Sequence, residues 1–421
     1  MIIYSKFLTL VLLLAVSSLS GAAPFVVDSV LDEVDANPGD GSCLSTPTGV
    51  CTLRAAIMEA NAFSDPDTIS LPAGVFTLSL PGVLEDDAVT GDLDIRGSVG
   101  ITGAGTDLTI IDAANLDRVF EIILGDTVTL EDLTIRNGSA IVAGSFAGGG
   151  VYHRAFVLGL TRVRLTANQA NIGGGLAVMP YGWAELQDCS LESNTTVDAG
   201  FAFNHGPAIY SEGYLSLLSS TVSQSSNEAG SYEAVFLENC SYLDSEIINS
   251  TIADNNAGGL HAHNCLLRVQ SSTIAGNASC GLFVWEDTVT TDSLIVTNSG
   301  FVNNGIDCCQ IPSLPTFNHS LDSDDTCGLS LAEGDLPGTD PVLLPLRNWG
   351  GSTLTMYPKP GESPLIDSGA GGDDCPASDQ RSVVRPVDGD GDLVATCDMG
   401  AVEAGDLVFF DGFEAGSTDE W

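Results

Sequence analysis

An all-β chain wound as a parallel solenoid is the fold this sequence predicts, and three observations predict it. First, one short phrase recurs, with an aliphatic residue three positions before an Asn: RLTAN (164–168), SLESN (190–194), TIADN (251–255), TIAGN (273–277) and LIVTN (294–298), with looser copies LTIRNG (133–138) and STVSQS (220–225). Second, the copies lie about 21 to 33 residues apart, inside the range of solenoid repeats. Third, short β-rich runs alternate with Gly, Asp and Asn turns, and helix-period segments are nearly absent after residue 63. Strands of such short successive coils can stack only in parallel. About ten coils at roughly 4.8 Å spacing make a rod of about 45 Å.

Composition narrows the partners. The chain has 421 residues, 47 of them Gly, and 56 acidic residues against 13 Lys plus Arg, for a formal net charge of −43. Nucleic acid and anionic lipid require basic surface, so this charge argues against both. Residues 1–22 read as a signal peptide: Lys6 supplies the positive start, 7–16 are apolar apart from Thr9, and Ser20-Gly21-Ala22 is a small-residue cleavage site. That apolar core is too short to span a bilayer, and no other run is long enough. A secreted or cell-surface location is therefore expected, where the 11 Cys can pair. The odd count leaves at least one thiol free.

Taken in order, residues 23–70 form an N-terminal cap module. Phe25-Val26-Val27 is a first strand, and Cys43 and Cys51 bracket a short loop and pair. Residues 52–63 place Leu53, Ala56, Ile57 and Ala60 on one face of a short helix that covers the end of the solenoid. Residues 71–405 are the β-helix, with early strands at 75–80, 93–95, 108–111 and 119–124. The recurring Asn suits a turn in which its side-chain amide bonds the same amide one coil on, which makes it structural. Between about 299 and 340 the repeat dissolves. Either Cys308 or Cys309 closes this loop onto Cys327, with Cys309 the first choice and Cys280 taking the spare member. Cys240 and Cys265 occupy the same place in consecutive coils, so stacking joins them. Cys189 falls in an inward column with Val163, Ser220, Ser250 and Ser272, and is the expected buried free thiol.

Chemistry is expected on one outward face. Aligning the strand after each Asn turn by its inward aliphatic residue (Val151, Leu176, Ile209, Val235, Leu260, Leu282) sends the next residue outward. That column reads Tyr152, Ala177, Tyr210, Phe236, His261, Phe283. Two positions further runs a second, Arg154, Met179, Glu212, Glu238, His263, Trp285. Aromatic faces edged with polar groups suit a sugar groove: rings cover apolar sugar faces and polar atoms bond hydroxyls. Tyr152, Arg154, Tyr210, Phe236, His261, Phe283 and Trp285 are the candidate ligand-binding residues. Glu212 and Glu238, one rung apart, come within about 5 Å, the separation of a retaining glycosidase pair, with His263 as acid or base. These three are the candidate catalytic residues. A solvated surface stack is the plain structural alternative. Asp388, Asp390 and Asp392 alternate as oxygen ligands do in calcium loops, without the Gly and Glu of an EF-hand, and are the candidate site of a structural calcium.

The segment CTLRAAIMEAN (51–61) resembles the CSLREA-type signature of a bacterial family of exported β-helix proteins. TGDLDI (90–95), TIIDAANLDRVFEI (109–122), TLEDLTIRNG (129–138), the block 340–370 and the run from DQRSVVRP to CDMGAVE, ending at Glu403, agree with it. Thr52 and Ala55 depart from the signature, where Ser and Glu are more usual. The resemblance implies a right-handed, pectin-lyase-like β-helix displayed or exported by the cell, final coils and a cap over 341–405, and a Cys375–Cys397 disulfide. It carries no catalytic residue. Residues 406–421 resemble a tail recurring in secreted bacterial proteins, either a sorting signal or a terminal strand. The function expected is binding of a polysaccharide or another surface ligand. Alternatives are a polysaccharide lyase or glycoside hydrolase, and a structural rod without a defined site.

Overall fold

The computed structural model describes residues 24–63, 66–141, 146–198, 204–228, 232–240, 244–287, 293–312 and 315–405. The expected signal peptide and C-terminal tail lie outside them.

Helix α1 (Leu53–Asn61) begins where Thr52 Oγ1 accepts a hydrogen bond from the Ala55 amide at 3.1 Å, satisfying one otherwise orphaned donor. Leu53, Ala56, Ile57 and Ala60 are buried, as the helical spacing predicts. Arg54 is buried too. Its guanidinium pairs with Asp32 at 2.6 Å and donates to the carbonyls of Ala88, Gly91 and Asp92 at 3.0, 2.8 and 3.0 Å. One side chain thereby locks the cap onto the first coils, using charge-assisted bonds that are strong where water is excluded.

Beyond the cap, the described residues form three parallel sheets of 19, nine and four strands. The nine-stranded sheet carries the candidate site, and its strands are β1 (Leu93–Ile95), β2 (Phe120–Ile122), β3 (Val151–His153), β4 (Leu176–Val178), β5 (Ile209–Ser211), β6 (Glu233–Glu238), β7 (Gly258–His263), β8 (Cys280–Trp285) and β9 (Ile306–Gln310). They stack in chain order, each coil advancing one rung. Inward residues such as Leu93, Phe120, Val151, Leu176, Ile209, Val235, Leu260 and Leu282 are buried in one continuous core. This is a parallel β-helix, and its parallel crossovers take the right-handed sense general to such connections.

Two polar ladders thread the turns. Asn168 donates to Asn194 at 3.1 Å, Asn255 to Asn277 at 2.8 Å, and Asn277 to Asn304 at 2.8 Å, all through side-chain amides. Ser225 takes the missing place, its amide donating to Asn255 Oδ1 at 2.9 Å. The fifth phrase is misregistered in the sequence alignment. Asn298 lies outside the ladder, and its strand Leu294–Thr297 pairs with Leu267–Gln270, while Ile274 faces Phe301. The coil here is longer than the one before it, 27 residues against 22, and this moves the ladder position on to Asn304. The second ladder is serine: the backbone N–H groups of Cys189, Ser220, Ser250 and Ser272 donate to the hydroxyls of Ser220, Ser250, Ser272 and Ser299 at 3.0, 3.2, 3.2 and 3.2 Å.

The disulfides are Cys43–Cys51, Cys240–Cys265, Cys280–Cys309, Cys308–Cys327 and Cys375–Cys397. Cys309 therefore bonds Cys280 and leaves Cys327 to Cys308. The reason is alternation on β9: Cys308 is buried and faces the core with Cys327, while Cys309 is exposed on the other side of the strand. Cys189 is the buried free thiol, and burial raises its pKa to about 12.

Regular coiling ends earlier than residue 405. Its last strand is Leu321–Asp322, bridged to Leu336, and 340–405 make only isolated antiparallel bridges. This segment folds back along the β-helix as a strap. Gln380 Nε2 donates to the Thr221 and Thr353 hydroxyls at 2.9 Å each, and its Oε1 accepts from the Thr251 hydroxyl at 2.6 Å. Asn298 Nδ2 reaches the carbonyls of Ala370 and Asp374 at 3.0 and 2.8 Å. Inside the strap, buried Arg385 pairs with Glu403 at 3.2 Å and donates to the carbonyls of Asp398 and Gly400.

Candidate functional site

The outward column lines up in the register that strand alternation predicts: Tyr152 beside Ala177, then Tyr210, Phe236, His261 and Phe283, each paired with the next. Stacking follows from the strand spacing. Phe236 and His261 lie 4.1 Å apart between centroids and His261 and Phe283 4.6 Å, with interplanar angles of 18° and 11°. Tyr210 is 6.1 Å from Phe236, and His205 stacks on Phe236 from the loop before β5 at 4.2 Å. His261 Nδ1 is held 3.1 Å from the buried Glu233 carboxylate. Tyr210 and Phe236 are each only 5% exposed, so the middle of the stack is covered, whereas Trp285 at the β8 end is 49% exposed.

The three candidate catalytic residues do come together. The Tyr210 hydroxyl lies 2.9 Å from both Glu212 Oε1 and Glu238 Oε2. Burial, then the charges and hydrogen bonds of these two carboxylates, push the phenol far above its usual range, so it stays protonated between them. Glu238 is 3.8 Å from His263 Nδ1, and His263 Nε2 is 3.6 Å from Asp287. Asp287 accepts from Asn264 and from the Trp285 indole, and these bonds hold its carboxyl below the ordinary range. A polar chain from Glu212 to Asp287 thus flanks the ring stack. It can hold a proton and accept or donate hydrogen bonds to hydroxyls.

At the other end, the same column continues past Tyr152 to Glu121 on β2 and Asp94 on β1. Glu121 pairs with Arg154 at 2.7 Å and also with Arg118. The Arg118 and Arg154 guanidinium carbons sit 4.8 and 5.8 Å from the Tyr152 ring centroid, so cations lie over its face. A cavity of about 310 Å³ opens here, lined by Asp86, Asp92, Arg118, Glu121, Tyr152 and Arg154 among others. Glu121, Asp94, Arg118 and Asp287 were outside the sequence-derived columns. Alternation in LDI (93–95) and FEI (120–122) carries the signal for the first two, on rungs before the first Asn turn.

For calcium, Asp388 and Asp390 do converge, with Asp367 in place of Asp392. Both Asp388 oxygens already accept backbone amides, from Gly391 at 2.7 Å and Leu393 at 2.9 Å, and Asp392 accepts from Val394 at 2.8 Å. The loop's internal turns use these acceptors.

No protein-family model and no curated protein matches this chain. Among solved structures, pectate lyase Pel9A is similar at 15% identity and a TM-score of 0.53, over 91% of this chain and 98% of that one. Pectin methylesterase PemA from Erwinia chrysanthemi matches at 11% identity and a TM-score of 0.35, over 75% of this chain and 95% of that one. The A-module of mannuronan C-5 epimerase AlgE4 from Azotobacter vinelandii matches at 13% and 0.29, over 63% and 95%. The likeness to Pel9A shows the fold, a pectate-lyase-like right-handed parallel β-helix.

Proposed function

We propose that this protein is an exported or cell-surface β-helix that binds an extracellular polysaccharide along the outward face of its nine-stranded sheet. The observation carrying this reading is the unbroken column from Tyr152 to Phe283, edged by Arg154, Glu212, Glu238, His263 and Trp285. From the Tyr152 rung to the Phe283 rung is roughly 24 Å at the spacing of paired strands, a length that suits an extended oligosaccharide. Exposed Trp285 supplies an apolar platform at one end, and Arg154 and Tyr152 supply hydrogen-bond donors at the other. The covered pair Tyr210 and Phe236 acts as a rigid spine beneath the polar edge. Five disulfides favour an oxidising compartment, in keeping with export.

A glycoside hydrolase or lyase is the second reading, favoured by the Glu238–His263–Asp287 chain. The Tyr210 hydroxyl occupies the gap between Glu212 and Glu238 that a scissile bond would need, and this favours binding. The test is incubation of the mature protein with a panel of plant, algal and bacterial polysaccharides, scoring retention and released oligosaccharides. Retention without release is expected, with Trp285→Ala weakening it about 10-fold, the order of one stacked aromatic contact. Release abolished by Glu238→Gln would replace binding with catalysis. No retention on the whole panel would overturn both in favour of a structural rod.

A further inference from the structure

The turns leading out of β3 and β4 expose aromatic rings where the middle of the column hides them. Phe156 is 61% exposed and Tyr181 76%. The Met179 carbonyl accepts from the Gly182 amide at 3.0 Å, so Met179–Gly182 is a tight turn with Pro180 at its second position. Tyr181 holds the third position at φ 69°, where Gly or Asn is usual. A bulky side chain in the left-handed region is strained, and here the strained residue displays a ring to solvent. Trp183 and Tyr214 stand beside it, at the start of paired strands of the 19-stranded sheet, Trp183–Gln187 and Tyr214–Leu218. Their ring centroids are 4.2 Å apart at 42°, and both residues are half-buried. Backbone bonds join the four into one patch: the Trp183 amide donates to the Phe156 carbonyl at 2.8 Å, and the Tyr214 amide to the Gly182 carbonyl at 2.9 Å.

A polar row runs alongside. Two residues on from the rings, strand register lines up Glu185, Ser216, Glu246 and Arg268 on successive coils. Alternation aims them outward, since the next residues, Leu186, Leu217, Ile247 and Val269, fill the core. Trp183 Nε1 donates to Glu185 Oε1 at 2.7 Å. Burial, then the charge of Glu246, pushes the Tyr214 phenol up to about 12, so it keeps its proton and can donate. The strap borders the far end of the row: Arg268 lies 4.0 Å from Asp374, and Gln270 donates to the Asp373 carbonyl at 3.2 Å.

We propose that Phe156, Tyr181, Trp183 and Tyr214 form a second glycan site, whose ligand is a neutral pyranose oligosaccharide. The rings meet the apolar faces of the sugars, and the row offers carboxylate, hydroxyl, carboxylate and guanidinium to their hydroxyls. Trp183 to Arg268 spans three rung steps, roughly 14 Å at the spacing of paired strands, which suits a short oligosaccharide. Charge decides the class. Two carboxylates stand against one guanidinium in the row, and the chain carries −43 overall, so a polyuronate is repelled. A protein surface would have to strip water from Glu185, Glu246 and Arg268, a cost that sugar hydroxyls offset by bonding to them. Neither the rings nor the row belongs to the column on the nine-stranded sheet, so this site stands or falls separately.

The probes are cellohexaose, mannohexaose, xylohexaose and the hexamer of galacturonate, titrated calorimetrically. The protein carries Trp285→Ala throughout, which removes the exposed ring of the column from the readout. Saturable binding of at least one neutral hexaose, tighter than that of the galacturonate hexamer, is expected. Adding Trp183→Ala should weaken it about 10-fold, the order of one stacked aromatic contact. Adding Tyr181→Gly should weaken it similarly while the melting temperature holds or rises, because Gly relieves the left-handed turn. That variant separates lost contact from lost folding. Affinity unchanged in both variants, no saturable binding of any neutral probe, or preference for the galacturonate hexamer overturns the proposal. Concentration-dependent dimerisation that Tyr181→Gly abolishes would make a second copy of the chain the occupant, and overturns it too.

Discussion

His153 is the clearest case of a single residue setting a condition on the fold. It points inward from β3, fully buried, and burial lowers its pKa from 6.5 to about 4. The unfolded chain takes up a proton near pH 6.5 that the folded chain refuses until about pH 4. Stability is thus whole above the upper value and falls as pH drops through this window, by about 3 kcal/mol in full. Replacing His153 by Leu should remove this component. Denaturant unfolding at about pH 7 and about pH 4 measures it, and equal pH slopes in the two proteins refute it. At this scale the sequence was readable where alternation sets direction. Tyr152, Tyr210, Phe236, His261 and Phe283 all point outward as the period of two requires. It was not readable where a loop supplies the partner. His205 stacks on Phe236 and Asp287 reaches His263 from outside the repeat, and no spacing rule marks either.

Among the elements, the Asn ladder shows how a repeat stabilises by its neighbours. Asn277 sits mid-ladder, where its Oδ1 accepts from the Asn255 backbone and side-chain amides at 3.2 and 2.8 Å. Its own amide donates to Ile252 O at 3.0 Å and Asn304 Oδ1 at 2.8 Å. Asn277→Ala strands buried groups on both neighbouring coils and should cost about 3 kcal/mol, since each unsatisfied buried partner costs about 1–3 kcal/mol. Asn277→Ser, which keeps a hydroxyl as at Ser225, should recover part of that. A loss under 1 kcal/mol, by chemical denaturation, would mean that the ladder marks the turn without holding it. The ladder was legible as a recurring letter, and its register was not. LIVTN matches the phrase, yet Asn304 takes the ladder position because the coil after Asn277 runs 27 residues, longer than the 22 of the coil before it. The strap over 340–405 was illegible as a strap for a related reason. Its contacts through Gln380 and Asn298 join residues about 70 to 160 positions apart, beyond any local pattern.

Across the whole molecule, a solenoid distributes stability coil by coil, because each rung touches only the next. The staples are unevenly placed on that line. Cys240–Cys265, Cys280–Cys309 and Cys308–Cys327 cross-link successive coils toward the C-terminal end, while rungs β2 to β5 carry none. The loops they close span 25, 29 and 19 residues, and each closure of this size stabilises by about 2–4 kcal/mol. Reduction should therefore act locally. Amide hydrogen exchange before and after thiol treatment should show protection falling at β7 to β9 and staying nearly constant at β2 to β5. The polar ladders, which need no disulfide, continue to hold those earlier rungs. A uniform collapse of protection along the chain would instead mean that the β-helix unfolds as a single cooperative unit. The strap, laid across several rungs and closed by Cys375–Cys397, would then be the element that couples them.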